Sequence, residues 1–194
     1  MAMQPVPLDK ASRLLNHGPT VLVGGAHGGR INVMAAAWAM PLDFDPPKLA
    51  VVIDKATLTR ELIDASGVLS VCVPCVAQAD LTRAVGGESG KDHPDKLQRC
   101  GVAFESGPET GCPLVQGAIV WMECRVLPAT AHVAGPHDLI LAEVVSACAD
   151  DRVFSGGRWH FESASDALRS LHHVAGGFFY AIGSPLQPEA KGKT

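Results

Sequence analysis

Apolar and polar positions along this chain alternate in short stretches, and they predict a strand-rich domain with a few short helices. Leu8, Ala11, Leu14 and Leu15 fall on one helical face, and His17-Gly18-Pro19 stops that helix. Thr20 to Gly24 reads as a strand, and His27-Gly28-Gly29-Arg30 as a glycine turn returning into a second strand at Ile31. From Asn32 to Met40 the residues are small and apolar until Pro41 ends the run. Asp45-Pro46-Pro47 is a turn, because proline fixes φ and donates no ladder hydrogen bond. Lys48 to Ile53, short and rich in β-branched residues, has the pattern of a buried strand. Thr57 then stands at the N-cap of a helix whose apolar face is Leu58, Leu62 and Ile63.

Gly67 to Val73 predicts another strand, and Val76 to Val85 a helix closed by Gly86-Gly87. Glu88 to Pro94 is a polar loop, followed by one or two helical turns over Asp95 to Cys100. Ala118 to Ala131 and Leu139 to Ala149 read as two long strands with Gly135-Pro136 in the turn between them. The first carries Val120, Met122, Cys124 and Val126 on one face and a mixed set on the other, as a barrel wall does. Phe154 to Trp159 suits a turn and short strand, Ser165 to Leu171 a helical turn, and Val174 to Ile182 a small-residue segment. The expectation is one domain over 1–184 and a flexible tail over 185–194.

Composition narrows the function. A chain of 194 residues, 47% hydrophobic and with a formal net charge of −4, has a core to bury and no basic surface for nucleic acid. Its apolar runs are too short to span a bilayer, and Met1 to Leu8 lacks the basic start of a signal peptide, so a cytoplasmic protein is expected. Cys72-Val73-Pro74-Cys75 has redox spacing but ends a strand instead of opening a helix; the six cysteines read as buried free thiols.

Gly24-Gly25-Ala26-His27-Gly28-Gly29 fails the dinucleotide spacing, since alanine holds the second glycine position and no helix follows. There is no Gly-Lys-Ser/Thr phosphate loop, no Gly-x-Ser-x-Gly and no zinc-type Cys/His spacing, so no metal site is expected. His172 and His173, adjacent in an extended segment, face opposite sides and cannot share one ion.

Two stretches do carry candidate chemistry. Ala35-Ala36-Ala37 leaves room for a flat ligand against the backbone. Thr57 and Thr59, with Lys55 and Arg60, place hydroxyls, cations and free amides where a phosphate binds, at a helix N-terminus. An ordinary threonine-capped helix with a solvated arginine reads the same way. Ser89, Gly90 and Lys91 offer a hydroxyl, an N–H and a cation to a polar ligand edge, or are simple connection.

Taken together, Asn32 to Pro41, Pro46 to Leu49 and Lys55 to Ile63 resemble the flavin reductase-like family, the FMN-binding split barrels that include flavoredoxins. Ser89 to Asp92, Asp95-Lys96-Leu97, Cys112-Pro113-Leu114, Glu123-Cys124, Gly135 to Ile140 and Gly176 to Tyr180 follow in the family's order, so the resemblance spans about Pro19 to Gly183. It implies a mostly β fold with helices, a Greek-key-like split β-barrel. It implies FMN held by Asn32, Val33, Met34, Ala35, Lys55, Ala56, Thr57, Thr59, Ser89, Gly90 and Lys91, with His137 contacting nicotinamide or acceptor. Pro136 stands where family members often carry an acid before that histidine, and Ala142 where glycine is common. The implied activity is hydride transfer from NAD(P)H to flavin and on to an acceptor, in a homodimer with an electron-transfer or oxygenase partner. A flavoredoxin-like carrier fed by another protein and a non-catalytic FMN-binding module are the alternatives.

Overall fold

A computed structural model describes residues 2–188; of the expected tail, 189–194 lie outside the described residues. The strands are β1 (Met3–Pro5), β2 (Val21–His27), β3 (Arg30–Ala36), β4 (Ala39–Phe44), β5 (Pro47–Val52), β6 (Val68–Val73), β7 (Phe104–Ser106) and β8 (Pro113–Val115). They continue with β9 (Val120–Val126), β10 (Leu139–Asp150), β11 (Phe154–Ser155), β12 (Arg158–Trp159), β13 (Leu171–Ala175) and β14 (Phe178–Ala181). Four α-helices intervene: α1 (Leu58–Ser66), α2 (Ala79–Gly87), α3 (Lys96–Arg99) and α4 (Thr130–His137).

The main sheet is antiparallel, in the order β3-β2-β6-β9-β10-β5-β4, with β1 also on β10. β10 is the hinge of this order. Its first half pairs with β5, its last residues pair with β1, and a register shift between Val144 and Ser146 bends it between the two. The sheet curls but does not close, so β3 and β4 are left as edges, as expected of a split barrel. Alternation sets its inside: Val21, Val23, Leu69, Val71, Met122, Cys124, Ile140 and Ala142 belong to one buried cluster. The N-terminal helix, a 3-10 turn over Leu8–Leu14, plugs one end with Ala11, Leu14 and Leu15, while Leu8 stays exposed.

Several boundaries move from their sequence expectation. The run from Asn32 to Met40 is two strands, not one: β3 stops at Ala36, and Pro41 lies inside β4. An edge strand tolerates it, because a missing N–H there costs no ladder bond. The expected strand to Ala131 ends at Val126, and Thr130 begins α4, so Gly135-Pro136 lie in a helix's last turn instead of a hairpin. Thr130 Oγ1 donates to Leu141 O at 2.9 Å and accepts from Leu141 N at 3.0 Å, which ties the helix start to β10. Gly67 caps α1 at φ 70° with its N–H on Ile63 O, and the strand starts one residue later. α2 runs through Gly86 and Gly87 instead of ending before them.

Glu123 is the least expected core residue. Only 2% exposed, it accepts hydrogen bonds through Oε2 from the Glu109 and Thr110 amides and from Thr110 Oγ1, clamping the 107–112 loop to β9. All six cysteines are free, and burial pushes the Cys72 thiol up to about 12, so it is unreactive. Among the described residues no helix is long and apolar enough to cross a membrane.

Candidate functional site

β3 is a sheet edge, so its outer main-chain groups have no strand partner. Three hollows follow that edge, walled by α1 and α2. The first, about 620 Å³, lies between the Ala35–Trp38 corner, α2 and the β13–β14 hairpin. The second, about 350 Å³, lies between the α1 N-terminus and the 85–90 segment. The third, about 370 Å³, lies between the β2–β3 hairpin and the 90–97 segment. Met34, Ala35, Gly86 and Gly87 line both the first and the second; Asn32, Leu58, Gly90 and Lys96 line both the second and the third. Volumes of this order are usual for small-molecule sites.

The α1 start is tightly built. Thr57 Oγ1 accepts from the Arg60 amide at 3.2 Å and donates to Asp54 O, while Asp54 Oδ1 takes the Ala56 amide at 2.7 Å. The Leu58 and Thr59 amides are left as first-turn donors with no i−4 carbonyl. Asn32, 3% exposed, donates through Nδ2 to Thr59 Oγ1 at 2.9 Å. Gly90 packs against the other side of that amide. A Cβ there would stand 2.6 Å from Asn32 Oδ1 and 2.9 Å from Leu58 Cδ2, so only glycine fits.

The cations divide in a way the sequence did not show. Arg60 is buried and turned away from the hollow. Its guanidinium bonds both carboxylate oxygens of Asp64 and the Ile53 carbonyl, with the Ala134 carbonyl at 3.4 Å. Lys55 leans toward α4, 3.4 Å from Gly135 O and 3.9 Å from Asp138 Oδ1. The cation on the wall is Lys96. It is 2% exposed, it lines the second and third hollows, and its Nζ has no hydrogen-bond or ion-pair partner among the described residues. Burial holds its ammonium below the usual lysine range. Glu88 lines the same hollow, one oxygen 3.6 Å from Arg99 and the other buried without a partner.

Of the eleven residues expected at the cofactor, Asn32, Met34, Ala35, Ala56, Thr57, Thr59, Ser89 and Gly90 line the second hollow, and Lys91 lines the third. Val33 points into a separate core cluster with Leu22, Cys72 and Val85, as strand alternation requires, leaving only its main chain at the edge. Lys55 and His137 line none of the three. His137 is exposed at the end of α4, because the expected hairpin is a helix. Sequence reasoning missed Lys96, although it stands within Asp95-Lys96-Leu97, and missed Thr82, Arg83, His173 and Phe179 around the first hollow. Those four come together only through tertiary packing of α2 on the β13–β14 hairpin.

An open antiparallel sheet with a groove along one edge matches the fold of the FMN-binding split barrels. This chain belongs to the flavin reductase like domain family, whose model matches residues 13–166. It is similar to the crystal structure of an FMN-binding domain of a flavin reductase-like enzyme from Shewanella baltica OS155. That match has 48% identity and a TM-score of 0.94, covering 97% of this chain and 98% of that one. It is 48% identical over 182 residues to the uncharacterized protein YddH of Escherichia coli K12, covering 92% of this chain and 94% of that protein. It is also 31% identical over 143 residues to the FMN reductase (NADH) RutF of Stutzerimonas stutzeri, covering 71% and 76% of the two.

Proposed function

We propose that this chain is an NADH-using flavin oxidoreductase of the cytoplasm, binding FMN along the free edge of β3. One observation carries the reading: eight residues expected at FMN line a single hollow, and the same hollow holds a buried, unpartnered lysine. A desolvated ammonium costs stability unless an anion meets it, and the FMN phosphate is such an anion. Lys96, the Leu58 and Thr59 amides and the Ser89 hydroxyl hold the phosphate. The edge main chain of Met34 and Ala35, which lines both the first and the second hollow, would face the polar edge of the ring. Donors placed there stabilise negative charge by about a few kcal/mol, as in an oxyanion hole.

Ala35, Ala36, Ala37, Gly86 and Gly87 keep the first hollow shallow enough for a flat ring to lie against main chain, with room left for a nicotinamide. The chemistry FMN supplies when bound is acceptance of a hydride and release of electrons to a further acceptor. Arg83 and His173, both exposed, line that hollow and would orient the second reactant, while Thr82 is buried in its wall with its hydroxyl donating to Gln78 O. Free cysteines throughout suit a reducing compartment.

The reading includes a homodimer. Trp38, Met40, Leu42 and Phe44 form an exposed apolar row at and along the β4 edge, with Trp38 75% exposed beside the ring hollow. The test is a visible spectrum of purified protein titrated with FMN, riboflavin and, anaerobically, NADH. FMN is expected to bind about tenfold or more tighter than riboflavin, and NADH to bleach it over multiple turnovers. Equal affinity for both flavins refutes the phosphate assignment. Bleaching only by dithionite or a partner protein refutes the reductase.

A further inference from the structure

We propose that Glu88 is a specificity-determining residue of the second hollow, accepting a hydrogen bond from a hydroxyl of the polyol chain that joins a flavin's ring to its phosphate. This rests on the reading above, which puts the ring in the first hollow and the phosphate at the Thr57 end of the second.

Position is the first reason. A ligand held at both ends runs its middle past whatever connects them. Gly86 and Gly87 line the first and second hollows alike, Ser89 lines the second, and Gly90 lines the second and third. The backbone therefore leaves α2 on the ring side and reaches the phosphate side a few residues later, and Glu88 is the step between.

Bonding is the second. Glu88 is the one carboxylate among the described residues lining this hollow. Its Oε1 lies 3.6 Å from Arg99 Nη2, and Arg99 Nη1 donates to His93 Nδ1 at 2.9 Å, so the carboxylate is braced from the end of α3. Its Oε2 is buried and has no hydrogen-bond partner among the described residues. An unmet buried acceptor is costly, and a carboxylate can be met only by a donor.

The chemistry of the ligand is the third. A flavin's phosphate repels a carboxylate, and its ring lies in the neighbouring hollow. The hydroxyls of the polyol fall between the two, and each can donate. Lys96 is the complement of Glu88 on the same wall: buried, able only to donate, and forming no ion pair with it among the described residues. One open acceptor and one open donor suit a hydroxyl chain that ends in an anion. A bare anion satisfies Lys96 and leaves Glu88 both unmet and repelled, so Glu88 makes the hollow choose a polyol phosphate over a simple anion.

Calorimetric titration of the full chain with FMN, riboflavin and lumiflavin, which has the ring but no polyol, tests this. Glu88→Gln is expected to weaken riboflavin by about tenfold and to leave lumiflavin within about twofold. FMN is expected to weaken by a smaller factor, about threefold, because the variant also relieves repulsion of the phosphate. A cooperative thermal melt of the ligand-free variant shows that it is folded. Riboflavin binding that does not change, or all three flavins weakened alike, overturns the polyol contact. FMN weakened more than riboflavin also overturns it, since Glu88 then acts through Lys96 and the phosphate. Equal wild-type affinity for FMN and riboflavin overturns the phosphate reading on which the proposal rests, whereas FMN tighter than riboflavin with Glu88→Gln silent on both overturns the polyol contact alone.

Discussion

Gly90→Ala probes the joint between the groove and its loop with a single methyl group. Gly90 has no left-handed backbone, so alanine brings no φ penalty and the effect is purely steric. The new Cβ would meet Asn32 Oδ1 at 2.6 Å, Asn32 Cγ at 2.9 Å and Leu58 Cδ2 at 2.9 Å. Leu58 is packed at the start of α1, and Asn32 is held by its bond to Thr59 Oγ1, whose side chain is fully buried. Relief comes by one of two routes. If Asn32 gives way, the overpacking and the lost buried hydrogen bond together cost about 2–3 kcal/mol. If the 88–94 loop gives way, Ser89 and Lys91 move off the groove, and a loss of about 1.4 kcal/mol in binding is tenfold in FMN affinity.

The two routes separate in two assays. Thermal melting of the ligand-free protein reads the first: about 2–3 kcal/mol in a domain of this size lowers Tm by about 4–12 °C. FMN titration reads the second. For the melting assay Gly87→Ala is the control, since a Cβ there meets nothing within 4 Å and the position is the last of α2. It is expected to leave Tm unchanged or raise it slightly, because alanine restricts the unfolded chain. A Gly90→Ala protein that melts with wild type and binds FMN with wild-type affinity refutes the close approach and the groove built on it.

Lys96→Met is expected to raise the Tm of the ligand-free protein, by removing a buried unpartnered charge, while weakening FMN but not riboflavin in titration; a parallel loss for both flavins contradicts a phosphate contact. His17 predicts a pH window: burial first, then the neighbouring His172, lower its pKa from 6.5 to about 4, so the unfolded chain binds the extra proton between those values. Stability is therefore full above pH 6.5 and falls by about 3 kcal/mol toward pH 4, as urea melts will show, and His17→Phe, packing on Trp159 and Phe161, flattens that fall. Phe44→Glu places a charge on the exposed β4 row and is expected to shift light scattering from dimer to monomer.

What the sequence disclosed was what local chemistry decides. The Gly28-Gly29 hairpin, with φ of 57° and 77°, the Thr57 cap and the alternation of β9 and β10 each follow from a few adjacent residues. The errors lie where tertiary contacts overrule local pattern. Ala129 to His137 has no turn residue before Gly135, so an extended reading was open; the Thr130 tether to β10 and the left-handed Asp138, φ 53°, make it helix. Pro41 reads as a stop unless the strand is known to be an edge, and edge position follows only from the whole order of strands.

The placement of charge follows the same logic and bears most on function. Lys55, Arg60, Lys91 and Lys96 are equivalent in a sequence: four cations flanking a helix start and a polar loop. Which of them can serve an anion depends on what else each one touches. Arg60 is already satisfied by Asp64 and two carbonyls, so its burial stabilises α1 against α4 and leaves nothing for a ligand. Lys55 is drawn to Asp138, and Lys91 is shared with Glu61. Lys96 alone among the four combines burial with the lack of a partner among the described residues. Such a residue is unfavourable for the empty fold, is offset in part by the charge of the nearby Glu88, and is offset further when an anion arrives. On the proposed reading, selectivity for a phosphorylated flavin would rest on Lys96, the first residue of α3, more than on the threonines of the helix that first draw the eye.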